Sequence, residues 1–194
     1  GWFGFNAGSA LAADGNAGMA AVVTHISAAT ASLVWMIMDW SKFGKPTLIG
    51  LVTGTIAGLA SITPASGSVG PIGALIIGAS AGFVCYLFVN VVKNKFKIDD
   101  SLDVFAVHGV GGLIGILLVA FLVDSNFGGA GYADGLNAIS QLLIQLKGTF
   151  AVLVLSVVAS IIITYVVKYT VGLRVDESSE VEGLDISSHG ETNS

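Results

Sequence analysis

The residue with the clearest capacity for chemistry is His108, which lies in a stretch without charged side chains over residues 104–123. An ionisable group at membrane depth is costly and normally faces a cavity or a pathway. Imidazole can donate or accept a proton near neutral pH. Two interpretations follow: His108 serves a proton relay or a small polar substrate, or it only hydrogen-bonds a neighbouring helix.

The aromatic run at the start of the chain is a second candidate. Trp2, Phe3 and Phe5 stand close to Ser9, and Phe5 and Ser9 are one helical turn apart on the same face. Aromatic rings attract cations through their quadrupole, and a hydroxyl can accept a hydrogen bond from one. The pattern is consistent with a small-cation site, and equally with aromatic residues that anchor a helix at the membrane boundary.

For the remaining candidate residues, His25 and Cys85, a structural role is the preferred interpretation. His25 lies between Thr24 and Ser27, where a polar contact between helices or subunits is the preferred interpretation. Cys85 is the single cysteine, which excludes an intrachain disulfide and a cysteine-based metal site. We predict no metal, no cofactor, no nucleic acid and no enzymatic activity.

These side chains must be positioned by membrane-spanning helices. Hydrophobic residues make up 54% of the sequence and charged residues 11%, with a mean hydropathy of +0.84, whereas soluble domains carry about 25% charged residues. A spanning helix needs about 20 apolar residues. The prediction is one partial and five full spans at residues 1–13, 19–40, 47–63, 71–92, 104–123 and 148–171.

Two segments outside the full spans need separate interpretation. The uncharged residues 1–13 reach only about 20 Å as a helix, which suggests the second half of a span or a short re-entrant segment. Residues 125–146 begin with a glycine-rich segment that is typical of a loop, and they continue with the spacing of apolar residues that is typical of an amphipathic helix. A short helix on the membrane surface is the simplest expectation there.

Basic residues predict the orientation. Three clusters follow the second, fourth and last helices, and they contain Lys42, Lys45, Lys93, Lys95, Lys97, Lys168 and Arg174. If the helices alternate in direction, all three clusters lie on one side and Lys147 lies on the other. The positive-inside rule makes that side cytoplasmic. We therefore expect residues 176–194 to be a cytoplasmic tail that follows a membrane domain over residues 1–175.

Several motifs, in order along the whole chain, resemble the Amt/Mep/Rh ammonium transporters, on the Amt side. The motifs are GWFGFNAGS at 1–9, GKP at 44–46, ITPASG at 62–67, GALIIG at 73–78, DDSLDVFAVHGVGG at 99–112, GLRV at 172–175 and EGLDISSHGE at 182–191. The resemblance implies an all-α integral membrane protein with eleven helices in two inverted halves and a pore between them. By that pattern the chain starts midway through helix six.

The resemblance also implies roles for individual residues. His108 corresponds to the second of two pore histidines, and Phe5 to the inner phenylalanine that closes the outer vestibule. Ser9 matches a serine that helps bind ammonium, and Trp2 a pore-lining tryptophan. Ile56, Thr63 and Val104 fall at positions that look pore-lining. The first pore histidine belongs to the family's N-terminal half, which these 194 residues do not include.

The implied function is ammonium transport: the cation is captured and deprotonated, and ammonia passes along a histidine-lined apolar pore. The alternative is an ammonium sensor of the same fold that signals through its tail. The resemblance further implies a homotrimer in the cell membrane, surrounded by lipid, and a P-II signalling protein at the cytoplasmic face.

Overall fold

The computed structural model describes residues 1–192, and within this range the regular structure is helical. The α-helices are α1 (Trp2–Gly8), α2 (Gly15–Phe43), α3 (Leu48–Ile62), α4 (Pro71–Asn90), α5 (Gly111–Leu122), α6 (Ala138–Thr170), α7 (Glu177–Glu182) and α8 (Leu184–His189). Two π-helical segments, Val91–Lys95 and Phe105–Val110, continue α4 and precede α5, and a 3₁₀ turn covers Ser125–Phe127. The prediction of an all-α membrane protein is confirmed.

The helices differ in length from the predicted spans. Four are long and apolar enough to cross a membrane: Gly15–Phe43, Pro71–Lys95, Phe105–Leu122 and Ala138–Thr170. The helix Leu48–Ile62 is also apolar but has 15 residues, or about 22 Å. The predicted third span is therefore a shorter helix than a full crossing requires.

The limits of α2 are set by its caps, one turn outside the predicted range of 19–40. The Asp14 side chain accepts hydrogen bonds from the backbone N–H groups of Asn16 and Ala17, at 2.9 and 3.1 Å. At the other end Gly44 adopts the left-handed conformation, with φ of +75°. Its N–H donates to the Trp40 carbonyl. Both are local signals of helix ends, and together they extend α2 to 29 residues.

The predicted division between a surface helix and the last span is wrong. Helix α6 runs without interruption from Ala138 to Thr170. The Asn137 side chain starts it by accepting from the N–H groups of Ile139 and Ser140. Gly148 does not end it, because one glycine costs only about 1 kcal/mol in a helix interior and helical residues on both sides propagate the helix cooperatively.

Small residues bring helices close around α2. A Cβ atom added to Gly58 of α3 would lie 2.4 Å from the Ser27 carbonyl oxygen, and one added to Gly78 of α4 would lie 2.5 Å from it. The Ser27 hydroxyl donates to the Gly58 carbonyl at 2.9 Å. Backbone contact at this point places α2 between α3 and α4. Around it lies a buried apolar cluster of Val23, Ile62, Ala65, Val69, Ala74, Ile77, Val119 and Leu122.

The chain divides into two compact units, one ending at Thr149 and one beginning at Phe150. In the second unit, Asp176 caps α7. Its carboxylate accepts from the Ser179 N–H at 2.8 Å and from the Ser178 hydroxyl at 2.6 Å. These hydrogen bonds, the one from Ser178 first, lower the pKa of Asp176 to about 2. The boundary at residue 175 between a membrane domain and a cytoplasmic tail stays a prediction.

The cap predicts a pH dependence for the first turn of α7. Because the pKa of Asp176 is lowered in the folded tail, the cap stabilises α7 fully above the ordinary aspartate pKa of about 3.9. That contribution is lost as the pH falls through about 2. At neutral pH, Asp176→Ala should speed amide hydrogen exchange at Ser179 several-fold. The exposed Glu177→Ala in the same turn is the control, and equal exchange in both variants would contradict the cap.

Candidate functional site

The central contact of the site joins α1 to the end of α3. The indole N–H of Trp2 donates to the Thr63 hydroxyl oxygen at 2.7 Å, across 61 positions of sequence. The Thr63 hydroxyl itself donates to the Leu59 carbonyl, also at 2.7 Å. The proton of Thr63 is therefore engaged within its own helix, and its oxygen is left to accept from the indole. This arrangement fixes the orientation of the Trp2 ring.

His108 lies against that ring. The imidazole and the Trp2 ring are stacked, with their centroids 6.0 Å apart and their planes 13° from parallel. His108 is exposed in this chain. Trp2, Thr63 and His108, predicted separately, thus form one cluster.

The backbone around His108 is π-helical over Phe105–Val110. Such segments insert one extra residue into a helix and often occur at functional sites. The segment begins at an aspartate cap: Asp100 accepts from the N–H groups of Val104 and Phe105, at 2.8 and 2.9 Å. The π-helical turn had no equivalent signal, although the adjacent Gly109 permits irregular backbone.

The predicted cation pair, Phe5 and Ser9, lies at the other end of α1. The Ser9 hydroxyl donates to the Phe5 carbonyl at 2.7 Å, so its oxygen can still accept a hydrogen bond. Ser9 is exposed, and 59% of the Phe5 side chain remains accessible. The helix that carries both is held to α2 by buried Asn6, whose amide donates to the Thr24 hydroxyl at 3.0 Å. Within residues 1–192 no hydrogen bond or ring contact joins Phe5 or Ser9 to His108.

The other predicted residues have separate surroundings. Half-buried Ile56 packs against the apolar cluster that contains Trp35, Cys85 and Val107. Val104 is 51% exposed where the π-helical segment begins. His25 is exposed, and its ring lies 6.0 Å from that of Phe3. The buried polar contact predicted near His25 belongs instead to Thr24 and Asn6.

The part of the chain that the structure describes contains no group of three His, Cys, Asp or Glu side chains that could hold a metal ion.

The structure also contains one buried carboxylate that the sequence analysis did not identify. Asp39 is 4% exposed near the end of α2.

The family model described as Ammonium Transporter Family matches residues 1–194. The chain is 47% identical to "Ammonium transporter" of Aquifex aeolicus over 98% of its own length and 45% of that protein. It is 48% identical to "Ammonium transporter Amt1" of Archaeoglobus fulgidus, covering 98% of this chain and 48% of the relative. The chain spans about half the length of the curated relatives it matches.

Solved structures show the same similarity. The "Sensor Amt Protein" matches with a TM-score of 0.86 at 32% identity, over 96% of this chain and 45% of that one. Mep2 of Saccharomyces cerevisiae matches with a TM-score of 0.78 at 34% identity, over 91% of this chain and 45% of that one. The helical arrangement described above is therefore similar to about half of each of these structures.

Proposed function

This chain belongs to the ammonium transporter family, and we propose that the whole protein moves ammonium or ammonia across the cell membrane. The observation that carries this proposal is the stack of His108 on a Trp2 ring that Thr63 holds in place. The sequence resemblance is confirmed by these comparisons, and the multi-pass membrane location follows from family and helix composition.

The first step in the proposed route is capture of the cation. The exposed Phe5 ring offers a face to a small cation, and the Ser9 oxygen offers a hydrogen-bond acceptor one turn away. Together they replace part of the water that the ion loses. A bare charge in a dry pore costs several kcal/mol at least, so the ion transfers its proton to a solvent water molecule at this exposed site, and neutral ammonia goes further.

The second step is passage of neutral ammonia along His108. Ammonia donates and accepts hydrogen bonds, and imidazole does the same. The stacked Trp2 ring holds one imidazole face against an apolar surface, so that the nitrogen atoms at the ring edge remain for the substrate. Ile56, Thr63 and Val104 are proposed to line the same route.

Reconstitution of the full-length protein tests this function directly. Vesicles that contain the protein should take up methylammonium, or carry an ammonium-dependent current, faster than protein-free vesicles. Equal rates in the two preparations would contradict transport.

The indole–hydroxyl contact predicts a specific loss in Thr63→Val. Valine has nearly the shape of threonine but cannot accept the Trp2 N–H, and an unpaired buried donor costs about 1–3 kcal/mol. Trp2 should then lose its fixed orientation beneath His108, and vesicle uptake should fall by about threefold to tenfold.

Thr63→Ser is the matched control, because serine keeps the accepting oxygen. It should restore most of the uptake that valine loses. If serine lowers uptake as much as valine does, the loss in valine cannot be assigned to the hydrogen bond, and unchanged uptake in Thr63→Val would contradict its role.

A sensor of the same fold is the second candidate, and it is favoured by one observation. The chain matches a solved structure titled "Sensor Amt Protein" with a TM-score of 0.86. A sensor would bind ammonium without net uptake in the vesicle experiment, whereas a transporter would show both.

The assembly and partners are also proposals. We infer a homotrimer, and a tail over residues 176–194 that lies in the cytoplasm and contacts a P-II signalling protein. The charge distribution supports this orientation, since seven of the eight basic residues fall on the tail side of the predicted topology. Deletion of residues 176–194 should abolish P-II binding, and intact binding after the deletion would contradict the tail's role.

A further inference from the structure

A cavity of about 260 Å³ lies between the C-terminal ends of α2 and α4, outside the histidine site. Aromatic rings of Trp35, Phe43 and Tyr86 line it, together with the carboxylate of Asp39. Lys42 and Lys93 also line it. The cavity therefore combines a carboxylate, ammonium groups and aromatic faces at one end of the helix bundle.

Asp39 is the unusual member of this set because it is a buried carboxylate. Only 4% of it is exposed, and its Oδ2 atom accepts a hydrogen bond from the Thr47 hydroxyl at 2.6 Å. Among residues 1–192 no basic side chain lies within ion-pair distance of Asp39. A buried charge without a counter-charge is strongly unfavourable. The carboxylate lines the cavity, so a cation bound there would supply the missing partner.

The lysines present the opposite charge. The Lys42 ammonium lies 5.2 Å from the Phe43 ring centre and 5.8 Å from that of Tyr86. The Lys93 ammonium pairs with Asp103 at 2.8 Å and retains further N–H donors. The net charge around the cavity is zero, because the ammonium groups of Lys42 and Lys93 balance the carboxylates of Asp39 and Asp103. A ligand with one positive and one negative group matches this distribution.

We propose that the cavity binds the headgroup of an aminophospholipid of the phosphatidylethanolamine class. Its primary ammonium pairs with the Asp39 carboxylate, at the wall of the cavity that Trp35 and Tyr86 also line. Its phosphate lies towards Lys42 and Lys93, as basic pockets between spanning helices hold lipid phosphates. This assignment does not depend on the proposed transport function.

Other occupants fit less well. A purely anionic lipid would place no positive charge beside Asp39. A single ammonium ion is about the size of a water molecule, which needs far less room than this cavity offers. A soluble phosphoamine shares the headgroup chemistry, but lipid is favoured because both helices that line the cavity, Gly15–Phe43 and Pro71–Lys95, are long and apolar enough to cross a membrane.

The test measures lipid binding to the purified full-length protein in detergent by native mass spectrometry. Phosphatidylethanolamine and phosphatidylglycerol with identical acyl chains are compared. The native protein should bind phosphatidylethanolamine about tenfold more tightly, and Asp39→Asn should remove this preference, since asparagine keeps a hydrogen-bond acceptor but has no charge. The exposed carboxylate variant Asp134→Asn is the control and should keep the preference.

Lys42→Gln provides a second variant that should fold normally, because Lys42 is exposed. It should weaken phosphatidylethanolamine binding several-fold. Equal affinity of the native protein for both lipids, or an unchanged preference in Asp39→Asn, would overturn the proposal. An unchanged affinity in Lys42→Gln would overturn it as well. Soluble phosphoethanolamine forms a separate arm, and binding of this compound without binding of the lipid would reject the lipid as the source.

Discussion

Replacing His108 by alanine in the full-length protein is expected to lower methylammonium uptake by roughly tenfold or more. The substitution removes the imidazole that stacks on Trp2 at 6.0 Å and with it the proton donor and acceptor at this point of the route. Trp2 itself should remain in place, because its N–H bond to Thr63 does not involve the histidine. Uptake into vesicles, measured for ammonium and methylammonium, gives both rate and selectivity.

His25→Ala is the matched control for the loss of a histidine within the membrane. His25 lies in the span of α2 and contacts the Phe3 ring, so its loss should leave uptake within about twofold of the native rate. If His108→Ala leaves both uptake and selectivity unchanged, the role assigned to His108 is wrong. A loss of equal size in His25→Ala would show that any missing histidine ring disturbs the protein.

Gly115→Ala is expected to destabilise the protein strongly. A Cβ atom at this position of α5 would lie 1.8 Å from the Ser61 carbonyl oxygen and 2.9 Å from a Pro64 side-chain atom. The nearest atom belongs to the backbone of α3, so rotation of a side chain cannot relieve the overlap. Overpacking of this kind costs about 1–3 kcal/mol or more. We expect a lower midpoint of thermal unfolding and less folded protein.

The comparison variant is Gly112→Ala, one turn earlier in the same helix. Among residues 1–192, no atom outside the adjacent backbone of α5 lies within 4 Å of a Cβ added there, and alanine favours helix over glycine by about 1 kcal/mol. Its unfolding midpoint should equal or exceed that of the native protein. If both variants unfold at the same temperature, close contact between α5 and α3 does not limit stability.

Much of the architecture was readable from sequence because hydrophobicity is a local property. The uncharged stretches around His25, Cys85 and His108 predict membrane helices whatever their neighbours are, since the bilayer imposes the same length on each. The ends of α2 were also present in sequence, as Asp14 and Gly44, although apolar pattern alone placed them a turn too far inward. In the same way, His108 was identifiable because an ionisable side chain is rare within a span.

The break predicted before Gly148 shows the limit of local pattern. Glycine and the adjacent Lys147 suggest a boundary, but α6 continues through both. A single weak helix former does not end a helix when both flanking segments are strongly helical. Residue type therefore predicted the presence of helix in this region but not its continuity.

Sequence alone determined the helical membrane class, the histidine and the aromatic run. Only the tertiary structure decided which of these side chains contact each other. Trp2 and Thr63 are separated by 61 positions, and the π-helical segment Phe105–Val110 carries the His108 ring that stacks on the indole. The burial of Asp39 has the same origin. Such contacts depend on the geometry of several helices at once, whereas the propensities that a sequence reveals act over only a few neighbouring residues.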